Sequence, residues 1–579
     1  AIYKVIAGVI SEPPTKDEVE RVKTGLLRQL EDSLSDAQTL GVNGLTTPIS
    51  QGDWRLMFLQ HDRIKNVTPE DLVRVAKTYF KAANRTVGYY IPDAAPDRTV
   101  VPETPDLEKL LTGYKSSVTI THGEAFDPTP ANIEKRVVRG KLSNGMKVVM
   151  LPKQTENSQV TAVIELRFGD GNSLKGNNGA AQFAGSLMGR ATLQHTQEQL
   201  RDEMQKLNAR ISVSGGGGGG FGGGRGGRGG GGGGGGVSSA NASISVPAAN
   251  FEAALKLAVE MLKEPVYADS DFDRTLQQRI KALEVAPTEP TQLGAEMLNR
   301  HLSPFQPGDA MYSPTREEQL AEMKKVTLED ARRFHDQFYG ANFGVLAVVG
   351  PVDPAAVKQA GEELLGKWNT SMPYKPIAAE FKAAGAINRK IETPDKANAQ
   401  FEAGERFAMA ESDPDYPAML LAGYMFGGPI TSRVSDRIRN REGLSYGANA
   451  RVAIPVEGNA AMLSATVSLN PVNGPKVEFS FVDELRKTLK DGFTAAEVTE
   501  AKKAYLETRA NGRAQDAALL TQMASHAQED RTFVWDQQLE AKIQALTAEQ
   551  INAAFRKHID PAAISIVKAG DFKAAGVYQ

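Results

Sequence analysis

Residues 493–505 read FTAAEVTEAKKAY, and residues 14–27, PTKDEVERVKTGLL, repeat the same pattern. Both segments contain Thr-x-x-Glu, starting at Thr15 and at Thr494. In this capping box the hydroxyl and the carboxylate bind free amides of the first helical turn, so both segments are predicted to open helices. The two threonines lie 479 residues apart, which suggests that the chain contains an internal repeat.

A second pair of segments lies at the same offset. Residues 67–71 (VTPED) and 546–550 (LTAEQ) each open a helix, and a third copy is visible at residues 270–273 (SDFD) and 326–330 (VTLED). Each copy is predicted to end in three helices and an apolar strand. The predicted closing strands are 86–91, 344–349 and 563–569.

Other segments complete the predicted domains. In the third copy we expect two strands within residues 141–169 around the turn Ser143-Asn144-Gly145, helix within 182–207, and a hairpin of 209–214 with 241–246. In the last copy we expect a strand near Ile387, a helix over 412–426 and strands over 445–454 and 459–468. The pattern predicts an α+β class, with mostly antiparallel sheets and helices packed on one face.

Composition excludes several classes of protein. The chain has 579 residues, which suggests about three or four domains. Its net charge of −3 gives no global attraction to nucleic acid, and the absence of cysteine excludes disulfides and thiol-based zinc sites. No apolar run approaches the ~20 residues that a bilayer-spanning helix needs.

Residues 426–446, FGGPITSRVSDRIRNREGLSY, contain the candidate site. Arg439 and Tyr446 lie seven residues apart across a predicted turn. A guanidinium and a phenol both donate hydrogen bonds to an oxygen that gains negative charge, so the pair could stabilise an oxyanion. The alternative is a surface arginine in a salt bridge and a tyrosine of a strand core. Arg437 and Arg441 are neighbours that could be mistaken for the functional arginine.

These features together resemble the M16 family of zinc peptidases, which includes pitrilysin, insulinase and the mitochondrial processing peptidase. The resemblance implies repeated LuxS/MPP-like metallohydrolase domains and a two-half enzyme that closes around a peptide. Residues 439–446 (RNREGLSY) fit the family context R-x-x-E-x-L-x-Y. By this resemblance Arg439 holds a substrate carbonyl, and Tyr446 stabilises the oxyanion.

Residues 179–192, GAAQFAGSLMGRAT, resemble a degenerate copy of the family's inverted zinc motif. Gln182 and Ser186 stand where the family has histidine ligands, and Gly185 stands where it has the general base. An amide and a hydroxyl are poor zinc ligands, and glycine cannot accept a proton. The seven histidines are scattered without ligand spacing, and only His195 follows the motif closely enough to be a candidate.

The resemblance also implies a domain order. Residues 1–92 would be the remainder of a second domain, 93–134 a linker between halves, 135–372 a third domain and 373–579 a fourth domain that carries Arg439 and Tyr446. The first copy has no counterpart of the sheet that bears this pair. We therefore expect the chain to be the C-terminal part of a larger duplicated protein, completed by a zinc-bearing half.

The predicted function is the substrate-binding, non-catalytic part of a zinc metalloendopeptidase. Zn²⁺ would belong to the complete enzyme and not to this chain, peptides would be its substrates, and it would be inactive alone. A periplasmic or secreted bacterial location is expected from the family. The alternative is a structural scaffold similar to the core subunits of the respiratory bc1 complex.

Residues 214–237, SGGGGGGFGGGRGGRGGGGGGGGV, interrupt the predicted hairpin. Arg225 and Arg228 are similar to RGG segments that bind RNA, which makes RNA binding a third and weaker hypothesis. Two arginines in a net acidic chain favour a surface insertion instead, and no nucleic-acid partner is expected.

Overall fold

The computed structural model describes residues 8–35, 41, 46–50, 52–81, 112–113, 121–215 and 237–578. The strand predicted at 86–91, most of the predicted linker and nearly all of the glycine tract lie outside these residues. Contacts divide the chain into two compact units. One comprises Ala1–Glu124, Gln154–Gln159 and Arg201–Ala209, and the other comprises Ala125–Lys153, Val160–Leu200 and Arg210–Gln579. The domain boundaries at 92, 134 and 372 remain a prediction.

Twenty α-helices and eleven strands are found among the described residues. The first helices are α1 (Lys16–Ser35), α2 (Thr46–Ser50), α3 (Leu56–Lys65), α4 (Pro69–Tyr79), α5 (Pro130–Arg136), α6 (Asn178–Leu187), α7 (Gln197–Lys206), α8 (Phe251–Lys263), α9 (Asp269–Glu284) and α10 (Pro290–His301). The others are α11 (Arg316–Met323), α12 (Leu328–Phe338), α13 (Pro354–Leu365), α14 (Tyr416–Gly427), α15 (Arg433–Ser435), α16 (Gly474–Asp491), α17 (Ala495–Ala514), α18 (Asp516–Gln528), α19 (Phe533–Ala545) and α20 (Ala548–His558). The strands are β1 (Val138–Lys141), β2 (Lys147–Pro152), β3 (Gln159–Arg167), β4 (Arg210–Gly215), β5 (Ser239–Pro247), β6 (Val345–Gly350), β7 (Asn388–Glu392), β8 (Ala399–Ala408), β9 (Ser445–Ala453), β10 (Ala460–Leu469) and β11 (Ser565–Gly570).

Five of the six predicted helix starts are confirmed by their capping contacts, whereas the helix predicted at 270–273 begins at Asp269 without a side-chain cap. The amide of Glu18 donates to Thr15 Oγ1 at 3.2 Å, and the amide of Thr15 donates to the Glu18 carboxylate at 2.7 Å. Complete capping boxes also begin α4, α12, α17 and α20. The two copies whose closing strand is described, however, have four helices before it and not the three predicted. The additional helix is easy to overlook in the third copy because α10 begins at Pro290, without a threonine cap.

The two sheets share one topology, which confirms the α+β prediction. Their strand orders are β1-β2-β6-β3-β5-β4 and β7-β11-β8-β10-β9. Without the edge strand β1, the second order repeats the first. The pairs β2–β6 and β7–β11 are parallel, whereas β3–β6 and β8–β11 are antiparallel. The sequence predicted neither β8 nor the third strand within residues 141–169.

The main helix layer covers one face of each sheet, as predicted, and an exchanged helix covers part of the other face. Helix α18 lies between β10 and β11 in the chain but packs on β2 and β6 of the first sheet. Helix α10 lies between β5 and β6 but packs on β8 and β11 of the second sheet. We call α10 and α18 the exchanged helices.

Buried apolar side chains hold α18 on the first sheet. Leu519 and Met523 of α18 share one core cluster with Val149 of β2 and with Ala347 and Val349 of β6. All five side chains are at most 3% exposed. Full burial of a side chain such as leucine or methionine contributes about 1.5–3 kcal/mol, so this contact contributes substantially to the stability of the first sheet.

A smaller apolar cluster holds α10 on the second sheet. Leu298 and Leu302, at the end of α10, pack with Val567 of β11. Because each exchanged helix belongs in sequence to the copy that contains the other sheet, the two sheets are stabilised together.

A buried carboxyl group lies on β8. Glu405 is 2% exposed, and it accepts hydrogen bonds from the amide of Asp560 at 3.2 and 3.3 Å. Burial raises the pKa of Glu405 from 4.5 to about 8, and the nearby charge of Asp560 acts in the same direction. The folded state therefore holds a proton on Glu405 that the unfolded chain releases at lower pH.

We predict that Glu405 lowers the stability of the protein as the pH rises. The folded state favours the protonated form of Glu405. The contribution of this group to folding stability is therefore complete below pH 4.5 and is lost as the pH rises towards 8. Relative to Glu405→Gln, the wild type should lose on the order of 3 kcal/mol of unfolding free energy across this window. Urea denaturation at several pH values measures the difference. The exposed Glu549→Gln is the control, and parallel pH profiles of wild type and Glu405→Gln would contradict the prediction.

Candidate functional site

The segment between α14 and β9 begins with a close helix–strand contact. Helix α14 ends at Gly427, where an added Cβ would overlap the backbone of Ala450 on β9. Asn449 donates from Nδ2 to the carbonyl of Gly427 at 3.0 Å. Gly427 therefore allows close packing of α14 on β9, and neither it nor Gly428 has a positive φ.

Residues Asp436–Arg441 form a π-helical turn. The amide of Glu442 donates to the carbonyl of Arg437, five residues earlier, at 3.0 Å. Two ion pairs follow the same spacing: Arg441 Nη2 lies 2.5 Å from Asp436 Oδ2, and Arg437 Nε lies 2.9 Å from Glu442 Oε1. Side chains five residues apart share a face in π winding and not in α winding, so both ion pairs favour the π turn.

The ion pairs distinguish the three candidate arginines. Arg437 also contacts Asp483 at 2.6 Å and Glu484 at 3.3 Å, and Arg441 is paired with Asp436. Arg439 is exposed, and among the described residues it has no hydrogen-bond or ion-pair partner. Its guanidinium is thus the one in this turn that remains free to bind a ligand.

Tyr446 lies at a β-bulge. Ser445 pairs with Leu469 and Gly447 pairs with Ser468, so Tyr446 is an extra residue in β9. Ala448 and Ala450, two and four residues later, are buried, whereas Tyr446 is 90% exposed. The bulge turns this side chain away from the core, as β-bulges commonly do beside functional sites.

The degenerate motif lies on α6, beside the first sheet. Gln182 Oε1 accepts a hydrogen bond from Arg279 Nη1 at 3.1 Å, and the Arg279 guanidinium lies 4.8 Å from the centre of the Phe183 ring. Ser186 Oγ makes only a long contact, 3.4 Å, to the carbonyl of Phe183. A cationic guanidinium next to the first ligand position disfavours a metal cation there.

Gly185 stands where the family motif has its general base, and the structure leaves no room for a side chain there. An added Cβ would overlap the carbonyl group of Gly215 at the end of β4. The strand backbone therefore occupies the space that a side chain would need. Gln182, Gly185 and Ser186 do not fit zinc in this arrangement.

His195 and Glu260 form a pair that the sequence did not predict. His195 Nδ1 lies 2.7 Å from Glu260 Oε1, and Thr192 Oγ1 also donates to this carboxylate. Glu260 is 8% exposed and lies on α8. The pair ties the loop after the degenerate motif to α8, which is the local bonding expected of a structural histidine.

The structure does not bring the predicted residues into one site. The motif positions lie on α6 with the first sheet, whereas Arg439 and Tyr446 lie next to the edge strand of the second sheet. Within the described part of the chain, the only three-residue group with metal-ligand geometry is Asp413, Asp415 and His558. Asp415 is already 2.6 Å from Lys557 Nζ and 3.0 Å from His558 Nε2, so this group is satisfied as an ion-pair cluster.

Comparison with known proteins supports the class of fold. Residues 325–505 match the family model described as the peptidase M16 inactive domain. The predicted resemblance to the M16 peptidases is thereby confirmed, and residues 325–505 are similar to the inactive domain of that family. No curated protein sequence matches the chain.

Solved structures share the fold at low sequence identity. The peptidase M16 inactive domain from Pseudomonas fluorescens is 19% identical with a TM-score of 0.60, and the match covers 75% of this chain and 97% of that one. A protease from Helicobacter pylori is 14% identical with a TM-score of 0.62, covering 75% and 99%. The periplasmic protease PqqL from Escherichia coli is 13% identical with a TM-score of 0.59, covering 98% of this chain and 62% of that one.

No helix among the described residues combines the length and apolar character needed to cross a bilayer.

We predict that Gly185→Ala destabilises the protein. The new methyl group would displace β4 from α6, at a cost of about 1–3 kcal/mol or more. Chemical denaturation gives the change in unfolding free energy. Gly512→Ala is the matched helical control, because an added Cβ there meets no atom within 4 Å, and it should gain up to about 1 kcal/mol. Equal stability of the two variants would show that the contact with Gly215 does not restrict this position.

Proposed function

We propose that this chain is the substrate-binding, non-catalytic part of an M16-type zinc metalloendopeptidase. Arg439 and Tyr446 are its functional residues. Arg439 would bind a carbonyl of the peptide backbone, and the Tyr446 hydroxyl would donate to the oxyanion that forms when water attacks the scissile carbonyl.

One observation carries this proposal: the hydrogen-bond donors Arg439, in the π turn, and Tyr446, at the β-bulge, are both exposed. The π turn commits Arg437 and Arg441 to ion pairs and leaves Arg439 free among the described residues. The bulge leaves Tyr446 90% exposed. Both donors are therefore available to hydrogen-bond to an oxygen that gains negative charge, as an oxyanion site requires.

Zinc would come from a partner half, either in the same precursor or as a separate subunit. A zinc ion held there would supply the activated water of a metallopeptidase. The match to an inactive M16 domain and the poor fit of Gln182, Gly185 and Ser186 to zinc both favour this division.

The first unit offers apolar surface for such a partner. Trp54, Val75 and Phe80 are 54%, 37% and 55% exposed. The residues 479 positions later, Phe533, Ala554 and Ile559, are 1%, 2% and 4% exposed. In the last copy these positions pack into a core, so a partner would cover the exposed residues of the first unit.

A scaffold without catalytic function is the second candidate. The exchanged helices would suit a structural role, but a scaffold does not need two exposed hydrogen-bond donors seven residues apart on irregular backbone. RNA binding rests on the glycine tract alone, which lies almost entirely outside the described residues.

We predict that Tyr446→Phe, in the complete peptidase, lowers kcat by about tenfold to a thousandfold because one oxyanion donor is lost. Arg439→Gln should lower kcat/KM, since it removes a contact to the substrate carbonyl. Hydrolysis of a fluorogenic peptide measures both effects, and zinc content should stay the same. Arg486→Gln, an exposed arginine on α16 outside residues 426–446, is the control, and its activity should remain close to that of the wild type. Full activity of Tyr446→Phe would remove Tyr446 from the site.

We also predict that the isolated chain binds no stoichiometric zinc and cleaves no peptide. Elemental analysis after incubation with zinc and desalting measures the metal content. Asp415→Asn controls for weak binding at the Asp413, Asp415 and His558 cluster. One tightly held zinc per wild-type chain would contradict the proposed division between halves.

A further inference from the structure

A cavity of about 430 Å³ lies where segments of the two sheets meet. Its wall is formed by the β1–β2 turn, the loop before β6, the segment after α13, the β9–β10 turn and the end of α18. The lining side chains that matter here are Lys147, Phe343, Tyr374, Glu457, Gln528 and Glu529. The volume lies in the usual range for sites that bind small molecules or single side chains.

The cavity has more carboxylates than cations. Glu529 Oε2 lies 2.9 Å from Arg531 Nη1, but the same guanidinium also binds Glu411. Glu457 has no side-chain partner among the described residues. Burial raises the pKa of Glu529, and the charges of Glu411 and Glu457 raise it further. An added cation would relieve this excess of negative charge.

The lysine in the wall does not balance these charges. Lys147 Nζ lies 2.8 Å from Asp530 Oδ1 and donates to the carbonyl of Ala527 at 2.7 Å. Its charge is thus matched by Asp530, which leaves Glu457 and Glu529 facing the cavity.

Two aromatic rings favour an organic cation. The centres of the Phe343 and Tyr374 rings lie 6.2 Å apart, with an angle of 45° between the planes. Aromatic faces attract ammonium and guanidinium groups through their quadrupoles. The carboxylates of this cavity are not among the described groups with metal-ligand geometry, which disfavours an inorganic ion.

A buried donor indicates what else the ligand carries. Gln528 Nε2 is buried and has no hydrogen-bond partner within the described structure. Buried amide groups are nearly always hydrogen-bonded, so a ligand in this cavity should bring an acceptor such as a carbonyl oxygen.

We propose that this cavity binds an organic cation that also carries a carbonyl group, and that the guanidinium or ammonium of a basic amino-acid residue is its ligand. The cation lies between the aromatic rings and Glu457, and the carbonyl accepts from Gln528. The site is separate from Arg439 and Tyr446 and does not depend on peptidase activity.

Calorimetric titration of the full chain tests this proposal. The probes are Nα-acetylarginine methylamide, its citrulline counterpart, which is neutral and of similar shape, and spermidine. The arginine derivative should bind at least about tenfold more tightly than the citrulline derivative, since a charged hydrogen bond is lost. If the arginine derivative binds and the other two probes do not, a basic residue is identified as the ligand. If spermidine binds more tightly than the arginine derivative, the assignment of the carbonyl to Gln528 is overturned.

Variants locate the binding to this cavity. Glu457→Gln and Phe343→Leu should each weaken binding of the arginine derivative by about tenfold. Both residues are exposed, so their thermal unfolding should match that of the wild type. Glu252→Gln, an exposed change on α8, should have no effect. The proposal is overturned if the arginine derivative does not bind at up to about 10 mM, or if Glu457→Gln binds it as tightly as the wild type does.

Discussion

The exchanged helices are the constraint on which the rest of the second unit depends. Each sheet has a second face that its own helix layer does not cover, and a helix from the other sheet's part of the chain packs there. All six residues of β6 and of β11 are buried as a result. Neither β6 nor β11 is fully buried without the helix from the other sheet's part of the chain, so the position of Arg439 and Tyr446 depends on both sheets.

The candidate site uses two departures from regular backbone geometry. In the π turn, Arg437 and Arg441 form ion pairs, and Arg439 stays exposed and unpaired among the described residues. In β9, the bulge turns Tyr446 into solvent, although Ala448 and Ala450 on the same strand are buried. Each feature exposes one hydrogen-bond donor to solvent on a backbone segment that is itself hydrogen-bonded. Regular α and β geometry would put these side chains elsewhere.

The sequence predicted most of the repeated elements because their signals are local, but it missed one helix in each copy whose closing strand is described. Threonine caps and apolar strands are recognisable within a few residues. The constant offset of 479 residues between matching segments identified the first and last copies as repeats. Strand β8 was missed because Gln400, Glu402 and Glu405 give it a polar pattern, although all three are buried. The exchange of helices was not predictable, since it depends on which sheet a helix contacts and not on its own sequence. For the site, spacing selected Arg439 and Tyr446, whereas the ion pairs that separate Arg439 from its neighbours needed coordinates.

The π turn should tolerate substitutions in its segment better than changes in the length of that segment. Its ion pairs connect residues five apart, so many substitutions at other positions would leave the winding unchanged. Removing one residue would bring those partners to a spacing of four, which suits an α-helix. Arg439 would then rotate relative to β9 even though every functional residue remained present. Single-residue insertions and deletions between Asp436 and Glu442 should therefore be much rarer among functional relatives than substitutions.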